Sequence, residues 1–413
     1  MSPRKALCVG MLCLGISVFP ARAASLFSSD TFIGVTPFTG LTYGTSDELL
    51  SSMQSTALQS LFPAYVGNEQ VSVLAFFRGL HMDISMGAGL SEVQLLIPSL
   101  GINQQFNTGG SRDANVLLLM DYIKSSGLLG HLTQLQAQTS PTDPIAGNPD
   151  SLMSSIIASE YEQVFLSDFS NIASPEAQAV SEAGKAALNQ MGIGLEYGQM
   201  GHGSNKVESL TIPLSYSIRN DLDPRRQLLL RMPITIIDVD GAKGYHVGFG
   251  ASYRYPMNAR WSLVPSFNYA FTASTDLGST AQLASLGLTS TYYWRMDGYD
   301  IGMGNMVGYV TTMPFSYQGY DFDPGIDNTY LRNGVVISVP TRIQGRKLHF
   351  ETSLVDTRFF GSKLYDDNYQ ELRFTLGTTR SASTASSGLF RVGLSLRHTP
   401  NSNGYKIEFG YWF

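Results

Sequence analysis

The sequence predicts a membrane-spanning antiparallel β-barrel of about 12 strands, preceded by a mainly α-helical N-terminal region. Three observations predict it: many segments after residue 190 alternate apolar and polar side chains, the last segment is strongly aromatic, and the first residues resemble an export signal. Successive side chains point to opposite faces of a strand, so each apolar set would line one face. An open sheet edge would expose unpaired backbone groups to the bilayer, and a closed barrel has no such edge.

Residues 1–23 are predicted to be a signal peptide. Arg4 and Lys5 supply positive charge, an apolar stretch follows, and Ala21-Arg22-Ala23 matches a small-residue cleavage site. The apolar stretch has about 14 residues, fewer than the roughly 20 that a spanning helix needs. Both cysteines, Cys8 and Cys13, lie within it. The mature chain would therefore contain no disulfide and no thiol chemistry.

Charge is sparse, with 15% charged residues and a formal net charge of −6, so we expect no nucleic-acid partner. Aspartates crowd two predicted loops: Asp238 and Asp240 in one, and Asp321, Asp323 and Asp327 in the other. Neither group has the spacing of a calcium-binding EF-hand loop. We expect solvated carboxylates here, with no bound metal and no cofactor.

Residues 24–170 are expected to form the mainly helical region. Thr45 and Glu48 form a capping box, and apolar residues recur at helical spacing between Ser111 and about Gln138. A further helix is predicted from about Leu152 to Ser167. The stretch from Val71 to Met86 is compatible with a buried strand or a helix, and its pattern does not decide between them.

Residues 171–190 are predicted to form a linker helix that enters the pore. Ser174-Pro175-Glu176 is a typical helix start, and small residues such as Ala179, Ala183 and Ala187 follow. About 15 residues of helix measure roughly 22 Å, close to the height of a barrel's apolar band. The alternative is an ordinary amphipathic helix of the N-terminal region.

Residues 191–413 are predicted to form the barrel. In one clear segment Tyr245, Val247, Phe249 and Ala251 alternate with polar or glycine residues. Twelve such segments begin near residues 191, 207, 227, 242, 261, 281, 299, 330, 347, 368, 388 and 404. An even number of strands places both ends of the barrel chain on one side of the membrane.

The last strand carries a specific resemblance. Tyr405, Ile407, Phe409, Tyr411 and Phe413 alternate with other residues up to the last position of the sequence. This strand resembles the C-terminal strand of bacterial outer-membrane proteins, in which a terminal Phe and alternating aromatics are read by the barrel-assembly machinery. The resemblance implies location in the outer membrane, contact with its lipid, and recognition by that machinery.

The order of helix and barrel resembles the autotransporter β-domain superfamily over roughly the last half of the chain. The resemblance implies that the barrel anchors and translocates its own N-terminal region. Residues 24–190 show neither the repeats nor the sustained alternation typical of β-helical passengers, and nothing in them identifies a cargo. One alternative is a plugged outer-membrane pore with a periplasmic N-terminal domain.

A second alternative is an enzyme. His202, Ser204 and Asn205 form a His-x-Ser-Asn pattern that is similar to that of outer-membrane acyl hydrolases, which implies His202 as base and Ser204 as nucleophile. Strand parity places both side chains towards the lumen, away from a lipid substrate, and the neighbouring glycines are typical of a hairpin loop. We therefore expect no enzymatic activity.

Parity also predicts which charges point into the lumen. These residues are Glu196, Arg219, Arg231, Arg254, Glu351, Arg373, Arg391, Lys406 and Glu408. A polar interior is normal for an outer-membrane barrel, so mutual pairing in a solvated lumen is one interpretation. The other interpretation is a constriction or a binding site for a plug helix.

Overall fold

The structure is a computed structural model. It describes residues 27–166 and 189–412, except for residues 45, 79, 203–204, 221, 224, 275–276, 278, 318–319 and 379–388. The predicted signal peptide, most of the predicted linker helix and Phe413 therefore lie outside the described residues.

The N-terminal domain, residues 27–139, is a mixed α/β unit, so the prediction of a mainly helical region is wrong. Its strands are β1 (Phe27–Ile33), β2 (Thr36–Tyr43), β3 (Val71–Phe77), β4 (Leu80–Met86), β5 (Val93–Ile97) and β6 (Ile102–Phe106). Its helices are α1 (Ser46–Ser51), α2 (Ser55–Leu61), α3 (Arg112–Ser125) and α4 (Leu128–Thr139). The strands form one antiparallel sheet in the order β2-β1-β3-β4-β5-β6.

The helices cover one face of this sheet. The buried face of β3 carries Val71, Val73 and Ala75, and they belong to the same core as Leu58 and Leu119 from the helices. The stretch that the sequence left undecided is thus a two-stranded hairpin. Its outward face also carries apolar residues, Leu74 and the 37% exposed Phe76, which obscured the alternation.

Twelve strands close into a barrel: β7 (Gln190–His202), β8 (Asn205–Arg219), β9 (Gln227–Val239), β10 (Ala242–Pro256), β11 (Trp261–Ser274), β12 (Ser279–Met296), β13 (Tyr299–Met313), β16 (Asp327–Ile343), β17 (Arg346–Gly361), β18 (Asn368–Thr378), β19 (Leu389–His398) and β20 (Asn403–Trp412). Two short strands, β14 (Phe315–Tyr317) and β15 (Tyr320–Phe322), form a hairpin in the loop after β13. The predicted strand number is confirmed. The largest difference in position is at β16, predicted near 330 and beginning at Asp327.

The outer surface of the barrel is an apolar belt. On β10, Tyr245 and Tyr255 point outwards near opposite ends and are 54% and 42% exposed. The ten residue-to-residue steps from Tyr245 to Tyr255 span roughly 25 Å across the belt once a strand tilt of about 40° is included. Trp261 and Tyr299 add aromatic side chains near the Tyr255 level. This spacing matches the aromatic girdles and apolar band of a barrel that sits in a membrane.

The two ends of the barrel differ. We call the end that carries Gln190 and Trp412 the terminal end and the opposite end the loop end. The connections at the terminal end are 220–226, 257–260, 297–298, 344–345 and 379–388, and those at the loop end are 203–204, 240–241, 275–278, 314–326, 362–367 and 399–402. The longest described connection, 314–326, is thus a loop-end feature.

Among the described residues, no helix is both long enough and apolar enough to cross a membrane. The remaining helix, α5 (Leu152–Tyr161), continues into a π-helical turn over Glu162–Leu166. Both segments are buried inside the barrel.

Candidate functional site

The lumen of the barrel is filled by the chain itself. Residues 142–166, which we call the plug, leave α4 at the loop end and run through α5 towards the terminal end. Every plug residue is buried except Ser155 and Ser159, which are half-buried. The plug precedes residues 171–190, the segment that was predicted to enter the pore as a helix, and that prediction concerns residues that lie almost entirely outside the described part of the chain.

The first part of the plug is a compact turn whose polar groups bond within it. Asp143 Oδ2 accepts hydrogen bonds from the backbone N–H groups of Ile145 and Ala146 at 3.1 and 3.0 Å. Asn148 Nδ2 donates to the Asp143 carbonyl at 2.7 Å, and the Ser151 hydroxyl caps α5 by accepting from Ser154 N–H at 3.4 Å. A polar sequence can therefore be buried here without leaving these groups unpaired.

One side of the plug packs against an apolar wall, the lumen side of β12, β13, β16 and β17. Tyr161 Oη donates to the Gly304 carbonyl at 2.8 Å, and a Cβ at Gly304 would lie 2.6 Å from the Phe165 ring. The Arg332 guanidinium lies 5.1 Å from the centre of the Tyr161 ring. The wall side chains in this core include Leu283, Tyr293, Met306, Val310, Tyr330, Val336, Val355 and Phe359.

The opposite side of the plug meets a charged wall, the lumen side of β18–β20 and β7–β10. Near the loop end, Arg397 pairs with Asp150 at 2.8 Å and with Glu371 at 3.2 Å. The Ser209 hydroxyl donates to the same Asp150 carboxylate at 3.1 Å. Asp150 thus ties the start of the plug to β8 and β19.

Lys406 occupies the middle of the charged wall. Its Nζ lies 2.8 Å from Glu162 in the plug and 3.2 Å from both Glu196 and Glu408. Arg373 pairs with Glu408 and lies 3.8 Å from Glu162. Two cations, Lys406 and Arg373, therefore lie beside the Glu162 carboxylate of the plug and are shared with the wall carboxylates Glu196 and Glu408.

The last turn of the plug ends on two arginines. Arg254 donates to the Val164 carbonyl at 2.5 Å, and Arg391 donates to the Leu166 carbonyl at 3.0 Å. Arg391 also pairs with Glu351 on β17. The two arginines therefore supply hydrogen-bond donors to backbone carbonyl groups at the last described residues of the plug.

Glu160 is a buried carboxylate on the side of the plug that faces β11. It accepts hydrogen bonds from the Ser266 hydroxyl and the Asn268 amide. Arg231 donates to Asn268 Oδ1 at 2.7 Å, so the guanidinium supports the carboxylate through that amide. A buried carboxyl group is held here by hydrogen bonds and a nearby cation.

The N-terminal domain rests on the loop end of the barrel. Arg78 pairs with Asp143 at 2.8 Å and donates to Ser279 at the start of β12 at 2.5 Å. The Ala137 carbonyl accepts from Tyr365 N–H at 2.8 Å, and a Cβ at Gly130 would overlap the Asp323 carbonyl. These contacts reach the plug, the start of β12 and two connections of the loop end, 314–326 and 362–367.

Asp366, in the loop-end connection 362–367, has a carboxyl group whose pKa is shifted by burial. The backbone N–H of Asp366 donates to the plug's Gly147 carbonyl at 3.0 Å, and Asn401 Nδ2 donates to its carboxylate at 2.9 Å. Burial raises the pKa of Asp366 above its usual value, and the hydrogen bond from Asn401 opposes that rise. The protonated Asp366 carboxyl is the form that the docked loop favours. Its stabilising contribution is therefore fully present below the pKa of a free aspartate carboxyl, and it is lost as the pH rises through the raised pKa of Asp366.

The structure places eight of the nine predicted lumen charges beside the plug or its partners. Arg219 differs, because it lies near the terminal end and donates to Gln190 at 2.7 Å. Sequence reasoning missed the plug residues that these charges meet. The available signal was that α5 carries apolar residues on most of its surface and a single charged residue, Glu160, which is typical of a buried helix.

The other predicted sites lie on the wall. Ile407, Phe409 and Tyr411 of β20 point outwards and are 40–48% exposed. His202 ends β7 and pairs in register with Asn205 at the start of β8, while Ser204 lies outside the described residues. Within the described ranges, no three His, Cys, Asp or Glu residues cluster as a metal site.

By sequence, the chain matches no described protein family and no curated protein. Similar solved structures include the beta domain of the Bordetella autotransporter Brka, with 14% identity and a TM-score of 0.40, covering 55% of this chain and 98% of that one. The translocator domain of autotransporter NalP from Neisseria meningitidis has 9% identity and a TM-score of 0.43, covering 63% and 99%. The KdgM porin in complex with disordered oligogalacturonate has 10% identity and a TM-score of 0.32, covering 53% and 98%.

At such identities the likeness concerns the fold alone. The closed barrel and its apolar outer belt make this chain an outer-membrane β-barrel of twelve strands. Its architecture is similar to that of autotransporter β-domains and small porins.

Proposed function

We propose that this barrel displays its own N-terminal domain on the cell surface after translocating that domain across the outer membrane. The observation that carries the proposal is the path of the plug. The chain runs through the lumen, so the N-terminal domain lies at the loop end while β7 begins at the terminal end.

The connections of the barrel support an extracellular position for the loop end. Outer-membrane barrels have short turns on the periplasmic side and longer loops outside. Short turns occur at both ends, and the longest connection of the barrel, the 13-residue 314–326, lies at the loop end. This supports an extracellular position for the N-terminal domain, which rests on that connection.

The dimensions of the lumen support passage of an unfolded chain. A single helix of about 10–12 Å diameter occupies the lumen, whereas a six-stranded sheet is roughly 29 Å wide. The folded domain is too wide for the space that the plug fills. We infer that the N-terminal segment crosses first and folds outside, and that the plug then seats behind it.

An epitope inserted in the turn after β1 tests this proposal. Val35 in that turn is 97% exposed, so an insertion there disturbs little packing. The matched control is the same epitope at the turn Asp297–Gly298, at the terminal end of the same barrel. On intact cells we expect antibody binding at the first site and none at the second.

The reverse labelling pattern would instead support the alternative, a plugged pore whose N-terminal domain stays in the periplasm. Labelling of both sites would indicate damaged outer membranes, and the experiment is then repeated on cells whose periplasmic proteins are shown to be retained.

We also propose that the barrel-assembly machinery is a partner and that outer-membrane lipid contacts the belt. The aromatic β20 supports this, and deletion of Phe413 should lower the amount of folded, heat-modifiable barrel while a deletion within 381–387 should not.

We propose no acyl-hydrolase activity, because residues 203–204 connect two strands whose ends pair at His202 and Asn205. Lipid hydrolysis that is lost in Ser204→Ala would contradict this.

A further inference from the structure

The two sides of α5 differ in chemistry. Residues along a helix turn by about 100° each, so Ser155, Ser159 and Gln163 share one side while Ile157 points the opposite way. Ser155 and Ser159 are half-buried, whereas Ile157 is fully buried in the apolar core. The polar side faces the charged wall, and the tight packing described above is therefore confined to the other side.

Two cavities lie along this polar side. One, of about 90 Å³, reaches Gln163, Gly192 and Arg391 towards the terminal end. The other, of about 40 Å³, reaches Asp150 and His246 towards the loop end. They share four lining residues, Ser159, Glu162, Glu196 and Pro213. Roughly 10–15 Å³ of such space suffices for one water molecule, so both cavities have room for water.

Buried polar atoms without a protein partner line these cavities. Within the described part of the chain, both ring nitrogens of His246, both amide atoms of Gln163 and Oδ2 of Asp150 make no hydrogen bond. His246 is 3% exposed and Gln163 is 8% exposed. An unpaired buried polar group costs about 1–3 kcal/mol, so water in the cavities would stabilise all three side chains.

The barrel wall beside the cavities has an interrupted hydrogen-bond ladder. Pro213 on β8 and Pro233 on β9 lie directly opposite each other, and Gly194 and Gly248 continue this row onto β7 and β10. The pairing of β7 with β8 stops after Ile193 and resumes at Glu196, and that of β9 with β10 has a matching gap.

Proline has no N–H to donate, so the neighbouring strand keeps a carbonyl without its ladder partner. Lipid on the outer side of the wall offers no replacement donor. Pro213 lines both cavities and Pro233 lines the second. Water on the lumen side is therefore the available source of hydrogen bonds along this row.

We propose that the polar side of the plug is a water-filled path along which small monovalent ions cross the barrel while the plug stays seated. This path is a function additional to surface display and does not depend on it. Glu162 and Glu196 line it together with Arg231 and Arg373, so charges of both signs are present. We therefore expect weak selection between cations and anions, and exclusion of solutes larger than a few water molecules.

Thiol accessibility tests the path, because both natural cysteines lie at positions 8 and 13, within the predicted signal peptide. Ser159→Cys places a thiol between the cavities, and Ile157→Cys is the matched control two residues away on the apolar side. In folded, heat-modifiable barrel, a small charged methanethiosulfonate reagent should modify the first thiol and leave the second intact. In planar bilayers, modification of Ser159→Cys should reduce the ion current to the level of the protein-free bilayer.

Equal protection of both thiols, equal modification of both, or an ion current that modification at Ser159 does not change would each overturn the proposal. If Ser159→Cys yields no folded barrel, Ser155→Cys replaces it, since Ser155 lines the cavity nearer the loop end. A folded wild-type barrel that carries no measurable current also overturns it.

Discussion

The two walls of the lumen hold the same plug by different physical means. The apolar wall buries Ile157, Tyr161 and Phe165 of the plug, and each such side chain contributes about 1.5–3 kcal/mol by leaving water. The charged wall holds Asp150 and Glu162 through Arg397 and Lys406. A buried ion pair gives little net stabilisation, because the desolvation of both charges offsets their attraction.

This difference suggests that one wall provides the affinity for the plug and the other wall sets the depth of the plug in the lumen. Apolar contacts do not specify register strongly, since a shift along the axis exchanges one apolar partner for another. A shift of the plug would separate Asp150 from Arg397 and Glu162 from Lys406 together, leaving buried charges unpaired. We infer that the apolar wall supplies most of the binding free energy and that the charged wall fixes the depth at which the plug stops.

The largest effect is expected from Arg397→Met. This change leaves the Asp150 carboxylate buried without its cation, which should lower the free energy of plug opening by about 3–5 kcal/mol. Hydrogen exchange of the α5 amide groups in the folded barrel measures that free energy. The double variant Asp150→Asn with Arg397→Met should recover part of the loss, and no recovery would show that Arg397 acts mainly through Glu371.

A smaller effect is expected on the apolar side from Ile157→Ala. Removing a fully buried aliphatic side chain should lower the same free energy by about 3 kcal/mol, through lost burial and the cavity left behind. Ser159→Ala on the opposite side is the control, with an expected change within about 0.5 kcal/mol. Similar losses in the two variants would contradict the contrast between the walls.

The smallest effect is expected from Tyr161→Phe. It removes only the hydrogen bond to the Gly304 carbonyl, which contributes about 1 kcal/mol. Tyr309 lies on the outer face of β13 and its side chain is 47% exposed, so Tyr309→Phe should leave the hydrogen exchange of the α5 amide groups unchanged. A loss from Tyr161→Phe as large as that from Ile157→Ala would mean that packing contributes less here than hydrogen bonding.

The sequence was most informative where one side of a strand meets lipid. Large apolar and small polar side chains alternate along these strands, and this alternation predicted the first residue of five of them correctly. The five strands are β9, β10, β11, β13 and β18. The N-terminal sheet gave no such signal. The buried face of β1 carries Ser29 and Thr31, so its polar residues concealed a strand that tertiary packing covers.

The plug was hidden for a related reason. Residues 143–150 contain the turn residues typical of an exposed loop, and their internal hydrogen bonds are what permit burial. Parity placed the wall charges, since strand geometry fixes which side chains point inwards. It carried no information on their partners, because Arg397 and Asp150 are 247 residues apart in sequence.

The polar attachments between the plug and the charged wall also determine how the molecule bears mechanical load. The N-terminal domain is joined to the wall by one continuous chain, so an outward pull on that domain acts along the axis of the lumen. At successive depths, Arg391 donates a hydrogen bond to the Leu166 carbonyl, Lys406 pairs with Glu162, and Arg397 pairs with Asp150. Axial tension therefore strains these attachments together, in shear, whereas a hairpin peeled from its end loses its bonds one at a time.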